Sequence, residues 1–234
     1  MVDHVRQNRL PAARSWLKWI PSSATLIVSA SGAMQHRVAI NLFGQFEVRL
    51  DGVPVRMPTR KVELILALLA IEPDVALSRS TLAGLLWPGQ PETQARGSLR
   101  QAIFRLKAAL DPSDALQVTP GWIKLRGERI ERDIDALDHH ATAPALPTGT
   151  PLEGLSGRED EIEDRLEAAR AELRSRLMHW LEEVETAALA ARRFADLETL
   201  ARRHLVLDGY DESALRMLMT ALWRQGRRNA ALDV

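Results

Sequence analysis

The chain is 234 residues long, 46% hydrophobic and 26% charged, which is enough apolar material for one or two packed domains and excludes a wholly disordered chain. It has no cysteine, so disulfides, thiolate nucleophiles, thiolate-held zinc and iron–sulfur clusters are ruled out, and a reducing cytoplasm is the natural compartment. Net charge is zero, yet the front is basic and the back acidic: residues 1–41 hold five Lys/Arg against Asp3, residues 42–132 hold 13 against 10, and residues 150–234 hold 13 against 17, the pattern of two modules with different partners.

Ala24–Ala33 is the longest apolar run near the start. It is about half the roughly 20 residues a membrane-spanning helix needs. Arg14 and Lys18 precede it as in a signal peptide, but Pro21, Ser22 and Ser23 break the approach. Residues 1–37 therefore read as a disordered or mis-assigned leader, with Met34 as an alternative start.

Val38, Ile40, Leu42, Phe46, Val48 and Leu50 then occupy even positions, the period of a half-buried strand, and a bulge is expected at Gly44. Asp51-Gly52 is a hairpin turn and Val53-Pro54-Val55 returns as a short strand. Val62, Ile65, Leu66 and Leu69 recur at helical spacing over Thr59–Ile71, which Pro73 ends. Ser78 is an N-cap residue for a second helix with a Leu82, Leu85, Leu86 stripe, stopped by Trp87-Pro88-Gly89. A third helix runs from Glu92 to Leu110 and closes at Asp111-Pro112. Leu116–Thr119, Pro120-Gly121 and Trp122–Leu125 read as strand, turn and strand.

Residues 141–151 hold three prolines, one glycine and no charge, a linker or exposed loop. Beyond them the pattern is helical: Arg158–Ala191 as one long helix or two stacked ones, then Phe194–Leu207 and Glu212–Arg224. Arg192-Arg193, Ala195 and Leu197 match Arg227-Arg228, Ala230 and Leu232 at an offset of 35. A period near 34 is that of tetratricopeptide-like helix pairs; an Ala-rich bundle is the alternative. Val234 falls inside the helix that Asn229 begins, so truncation or further domains are expected.

The third helix carries the chemistry. At 100° per residue, Leu99, Ile103, Leu106 and Leu110 share one face. Arg100, Gln101, Phe104 and Arg105 fall opposite, flanked by Arg96 and Lys107. Thr93–Leu110 contains four basic residues and no acidic one, whereas a solvated surface helix ordinarily mixes signs. Such a face suits DNA: a helix fits the major groove, Arg and Gln read base edges in pairs of hydrogen bonds, and Phe can touch a thymine methyl. Lys107 suits a phosphate. A merely charged outer face is the competing reading.

The segments LFGQFEVRLDGVPVRM (42–57), RKVELILALLA (60–70), SRSTLAGLLWPG (78–89) and ARGSLRQAIFRLKAALD (95–111) together resemble the OmpR-type winged-helix domain of the SARP (Streptomyces antibiotic regulatory protein) activators. PLEGL (151–155) and LEAARAEL (166–173) resemble the bacterial transcriptional activator domain that follows it there. The resemblance covers roughly residues 40–234. It implies an α+β winged helix-turn-helix with a small antiparallel sheet at 38–132, then an all-α, tetratricopeptide-like domain at 133–234. It also implies a cytoplasmic activator that binds double-stranded DNA, recruits RNA polymerase and forms a homodimer on repeated sites. Carried over by position, Arg96, Arg100, Gln101, Phe104, Arg105 and Lys107 are the DNA-contacting residues. Two departures stand out: Trp122 in the short wing, and Thr81 where the family has an acidic capping-box residue.

Other motifs are weaker. There is no G-x-x-x-x-G-K-[ST]. Ser15-Trp16-Leu17-Lys18 fits S-x-x-K, but no S-D-N or K-T-G follows. His139-His140, as adjacent residues, cannot converge on one metal from one helix face. Glu159–Asp164 is a solvated first helical turn or a docking surface for a basic partner, and Trp180 and Trp223 read as core. No catalysis, cofactor, metal or membrane contact is expected. The rival readings are a protein-interaction scaffold and the regulatory front end of a signalling enzyme or NTPase.

Overall fold

The computed structural model describes residues 36–138 and 147–234. The leader, start-codon and Ser15–Lys18 readings and the His139-His140 pair lie outside the described residues.

The even-numbered apolar run is two strands rather than one bulged strand. β1 (Val38–Asn41) and β2 (Glu47–Leu50) run antiparallel, and the chain reverses between them at Gly44, whose φ is +70°. Val38 faces Leu50 and Ile40 faces Val48, so even positions pair with even positions and the alternation passes through the turn unchanged. β3 (Val53–Pro54) extends β2 at one edge, and β7 (Ile130–Arg132) joins β1 in parallel at the other. No periodicity announces β7, a three-residue strand.

Three helices fill the space between β3 and the hairpin. Thr59 caps α1 (Arg60–Ile71) by accepting from the Val62 N–H at 3.3 Å, and Ser78 caps α2 (Arg79–Leu86) through the Thr81 N–H. α3 spans Glu92–Leu110. β5 (Leu116–Val118) and β6 (Trp122–Leu125) form the wing hairpin, and β4 (Leu77–Ser78) adds a third strand to it. Arg132, at the end of β7, is buried and serves α1: its guanidinium donates to the Ala70 and Ile71 carbonyls at 3.0 and 2.7 Å, satisfying the open C-terminus of that helix. Asp135 balances its charge at 2.5 Å. Asp133 accepts from the Leu42 and Phe43 N–H groups, which fastens β7 to the end of β1.

After the short α4 (Asp135–Asp138) come α5 (Asp160–Ala190), α6 (Phe194–Leu207), α7 (Glu212–Arg224) and α8 (Arg228–Leu232). α5 is a single helix of 31 residues. The repeat holds, shifted by one position. The left-handed residues Arg192 and Gly226 end α5 and α7, and Arg193 and Arg227 precede α6 and α8. These offsets are 34, not the 35 of the residue match. At 34, buried Leu197 corresponds to buried Ala231; at 35 it would correspond to Leu232, which is 75% exposed. Trp180 is core, as its face predicts, but Trp223 is 52% exposed with the Arg228 guanidinium 5.0 Å from its ring.

The end of the apparent linker is packed. The Leu152 N–H donates to the Leu42 carbonyl at 2.7 Å and the Gly44 N–H to the Thr150 carbonyl at 2.9 Å. A Cβ at Gly149 would lie 2.5 Å from the Gly44 Cα, so this approach requires glycine. Pro151, Leu152 and Leu155 are buried. The acidic start of α5 is neither free nor purely solvated. Glu159 pairs with Lys61 at 3.2 Å, and Glu163 accepts from the Gly157 N–H at 2.6 Å and pairs with Arg170 at 3.0 Å. Lys61 also donates to the Leu86 carbonyl and lies over the Trp87 ring, and Arg60 donates to the Gly154 and Ser156 carbonyls. One apolar core therefore runs without a break from Val38 to Leu181, including Ile162, Leu166 and Leu177 of α5.

A second feature joins α5 to α6. His204 Nδ1 faces Glu185 Oε1 at 3.2 Å with both side chains buried. That carboxylate holds the imidazole pKa above its ordinary value against the opposing effect of burial, and Asp211 and Glu182 act in the same direction. A histidine with a raised folded pKa stabilises fully below its unfolded value of about 6.5, and the contribution disappears as pH rises through the folded value. The thermal midpoint is expected to fall over that interval in wild type and to be flat there in Glu185→Gln; a flat wild-type profile refutes the assignment. Leu166→Ala is expected to destabilise by about 2–5 kcal/mol. Far-UV dichroism and the tryptophan fluorescence that includes Trp87 should shift together, whereas two separated transitions would show the core to be divided.

Candidate nucleic-acid interface

What faces outward on α3 follows from what faces inward. Ala95, Leu99, Ala102, Ile103, Leu106 and Leu110 are buried, and α3 packs against α1 and α2. With that stripe committed, Arg100, Gln101, Phe104, Arg105 and Lys107 all emerge into solvent. Phe104 is 73% exposed, an unusual position for a phenylalanine. Arg100, Arg105 and Lys107 have no carboxylate partner among the described residues.

Arg96 differs. Its Nη2 is ion-paired with Glu92 Oε1 one turn earlier. Glu92 lies one residue outside the all-basic stretch Thr93–Leu110, and the Glu-to-Arg spacing of four is the sequence signal for the pair. Pro91 precedes α3 without a side-chain cap, and its carbonyl accepts from the Gln94 and Ala95 N–H groups at 2.9 Å. Ser98 Oγ donates to Gln90 Oε1 at 3.0 Å, tying the turn before α3 to the helix itself.

The wing is fastened through α2. At its tip the Thr119 N–H donates to the Trp122 carbonyl and the Trp122 N–H donates back to Thr119 Oγ1, at 2.9 and 3.1 Å. Arg79, the first residue of α2, donates its Nη1 to the Thr119 carbonyl and its backbone N–H to the Gly121 carbonyl, both at 2.9 Å. Sequence reasoning missed this role because the pairing joins residues 40 apart. Lys124 and Arg126 on the wing side are paired with Asp74 and Asp114 at 3.5 and 3.4 Å. The wing cations are thus neutralised internally and those of α3 beyond Arg96 are not. Among the described residues no cluster of His, Asp and Glu could hold a metal ion, and no helix is long and apolar enough to cross a membrane.

A strand-flanked three-helix unit closed by a wing hairpin, followed by paired helices, is the architecture of a winged-helix regulator with an attached helical domain. The model of the bacterial transcriptional activator domain family matches residues 117–234, and the chain belongs to that family of transcriptional regulators, in its SARP-type arrangement. It is similar to the transcriptional regulatory protein EmbR of Mycobacterium tuberculosis, 27% identical over 103 residues, 42% of this chain and 26% of that protein. The transcriptional regulatory protein MoaR1 of the same organism is 25% identical over 119 residues, 48% of this chain and 37% of that protein. The chain thus aligns with between about a quarter and somewhat over a third of these curated relatives. A solved structure of M. tuberculosis EmbR in complex with a low-affinity phosphopeptide superposes with a TM-score of 0.62 at 21% identity, covering 85% of this chain and 58% of that one; a likeness at that identity establishes the shared fold.

Arg79→Ala removes one hydrogen bond and is expected to destabilise by about 0.5–1.5 kcal/mol globally. Its sharper effect is local: amide hydrogen exchange at Thr119 and Trp122 should accelerate while exchange within α3 is unchanged. Unaltered exchange at the wing tip would show that Arg79 does not hold it.

Proposed function

We propose that the protein is a sequence-specific, DNA-binding transcriptional activator that inserts α3 into the major groove. In this reading residues 38–132 are the DNA-binding module and 133–234 the activator domain that recruits RNA polymerase, with a homodimer on repeated sites. It works in the cytoplasm and performs no catalysis. The observation that carries the reading is the outward face of α3, where Arg100, Arg105 and Lys107 are unpaired and Gln101 and the exposed Phe104 lie among them. Unpaired guanidinium groups beside an amide and an aromatic ring match the guanine acceptors, the adenine donor–acceptor pair and the thymine methyl of a groove floor. Lys107, at the flank, meets a phosphate.

The reading is tested on the full chain by binding-site selection with randomised duplexes, followed by titration across salt concentrations. A consensus and a steep fall in affinity with salt are expected. Arg100→Ala should cost about 1–3 kcal/mol and relax one base position. Lys107→Ala should weaken all duplexes alike and lower the salt slope by about one. Absence of any DNA binding by the folded wild-type chain overturns the reading in favour of an interaction scaffold.

A further inference from the structure

We infer that Glu92 selects a base and that Arg96 positions it, so that Arg96 is not a phosphate contact. The inference rests on the DNA-binding reading above and goes beyond it by assigning a preference to one position of the site. Glu92 is the first residue of α3 and the sole acid on a helix with four cations. Its wheel position is close to that of Leu99, but it precedes Ala95, the first buried residue of the helix; it borders the cleft between α2 and α3 beside Ser80, Gly84 and Trp87, and its side chain is 73% exposed. The N-terminal residues of a groove-inserted helix are the ones that approach base edges. A carboxylate there has four lone-pair sites and no donor. It therefore accepts from the amino group of cytosine and is repelled by edges that present only acceptors.

Arg96 gives this acid its direction. The Nη2–Oε1 contact ties the Glu92 carboxylate to the helix one turn on. It also marks Arg96 as different in kind from Arg100, Arg105 and Lys107, which have no such partner among the described residues. An arginine already engaged by a carboxylate contributes little net charge to a phosphate, so the pair adds little to non-specific attraction while imposing a local condition on sequence. Both side chains are exposed, and an exposed pair at this spacing contributes little to folding, so variants at either position should fold normally.

The test is site selection and salt titration with the full wild-type chain, Glu92→Ala, Glu92→Gln and Arg96→Ala. Wild type should select cytosine at one position. Glu92→Ala should lose discrimination there by roughly tenfold with other positions unchanged, and should bind random duplexes more tightly than wild type. Glu92→Gln should move the preference to adenine, which presents an acceptor beside its amino group. Arg96→Ala should relax the same position and leave the salt slope as it was. If Glu92→Ala selects the wild-type consensus with equal strictness, the base assignment is overturned. If Arg96→Ala lowers the salt slope by about one and keeps the consensus, the positioning role is overturned. A folded wild type that selects no sequence refutes the DNA-binding reading itself, a result separable from both.

Discussion

The structure depends on the burial of one side of α3. A helix whose outer face carries several cations is opposed by its own charge, because Arg96 and Arg100 stand one turn apart and like charges at that spacing destabilise by a few tenths of a kcal/mol. Against this, each fully buried leucine or isoleucine contributes about 1.5–3 kcal/mol, and Leu99, Ile103, Leu106 and Leu110 are all at most 5% exposed. Burial wins by an order of magnitude. The apolar stripe thus sets the azimuth of the helix, and the basic face points outward because the alternative would place guanidinium groups in the core.

The same economy explains why the two halves share a core. The winged-helix unit leaves the end of β1 and the foot of α1 open, and the chain returns through Thr150–Leu155 to cover them. Arg60 and Lys61, adjacent on the first turn of α1, then meet the loop and the N-terminal turn of α5 respectively. α5 is thereby anchored at its acidic start, and 31 residues carry it about 46 Å away. A contact made at the far helices is linked to the winged-helix unit by a rigid element, whose length up to Leu181 shares that unit's apolar core, rather than by a tether.

Most elements were legible in the sequence because their signals are local. Thr59 and Ser78 are caps recognisable from residue type, and the Glu92–Leu110 bounds follow from a proline before and a proline after. What was not legible is pairing between distant residues. β7 is three residues long and gains its identity from β1, some ninety residues away. The even-numbered run looked like one strand because a hairpin whose even positions face each other preserves parity. The repeat was displaced by one because arginine and leucine identities outweighed burial in the match, although burial is what a repeat conserves physically. Trp223 lies on the wet side of α7, where the neighbour that interacts with its ring is a guanidinium. For the candidate interface, the outward residues of α3 could be read from a helical wheel, but the Glu92–Arg96 pair and the Arg79 clamp needed coordinates.

A net charge of zero conceals the property that matters most for a polyanionic partner, which is how many cations remain unpaired and where. Glu198 pairs with both Arg202 and Arg227, at 3.0 and 2.8 Å; Arg170 is held by Glu163 and Glu167 and Lys61 by Glu159. Pairing of this kind spends positive charge on tertiary structure. Along α3 only Arg96 is treated in that way, and the remaining cations face water on a helix whose orientation the core dictates. Long-range attraction is screened within about 8–10 Å at physiological salt, so the distribution of unpaired charge over distances of that order, rather than the total, decides which surface a polyanion would meet.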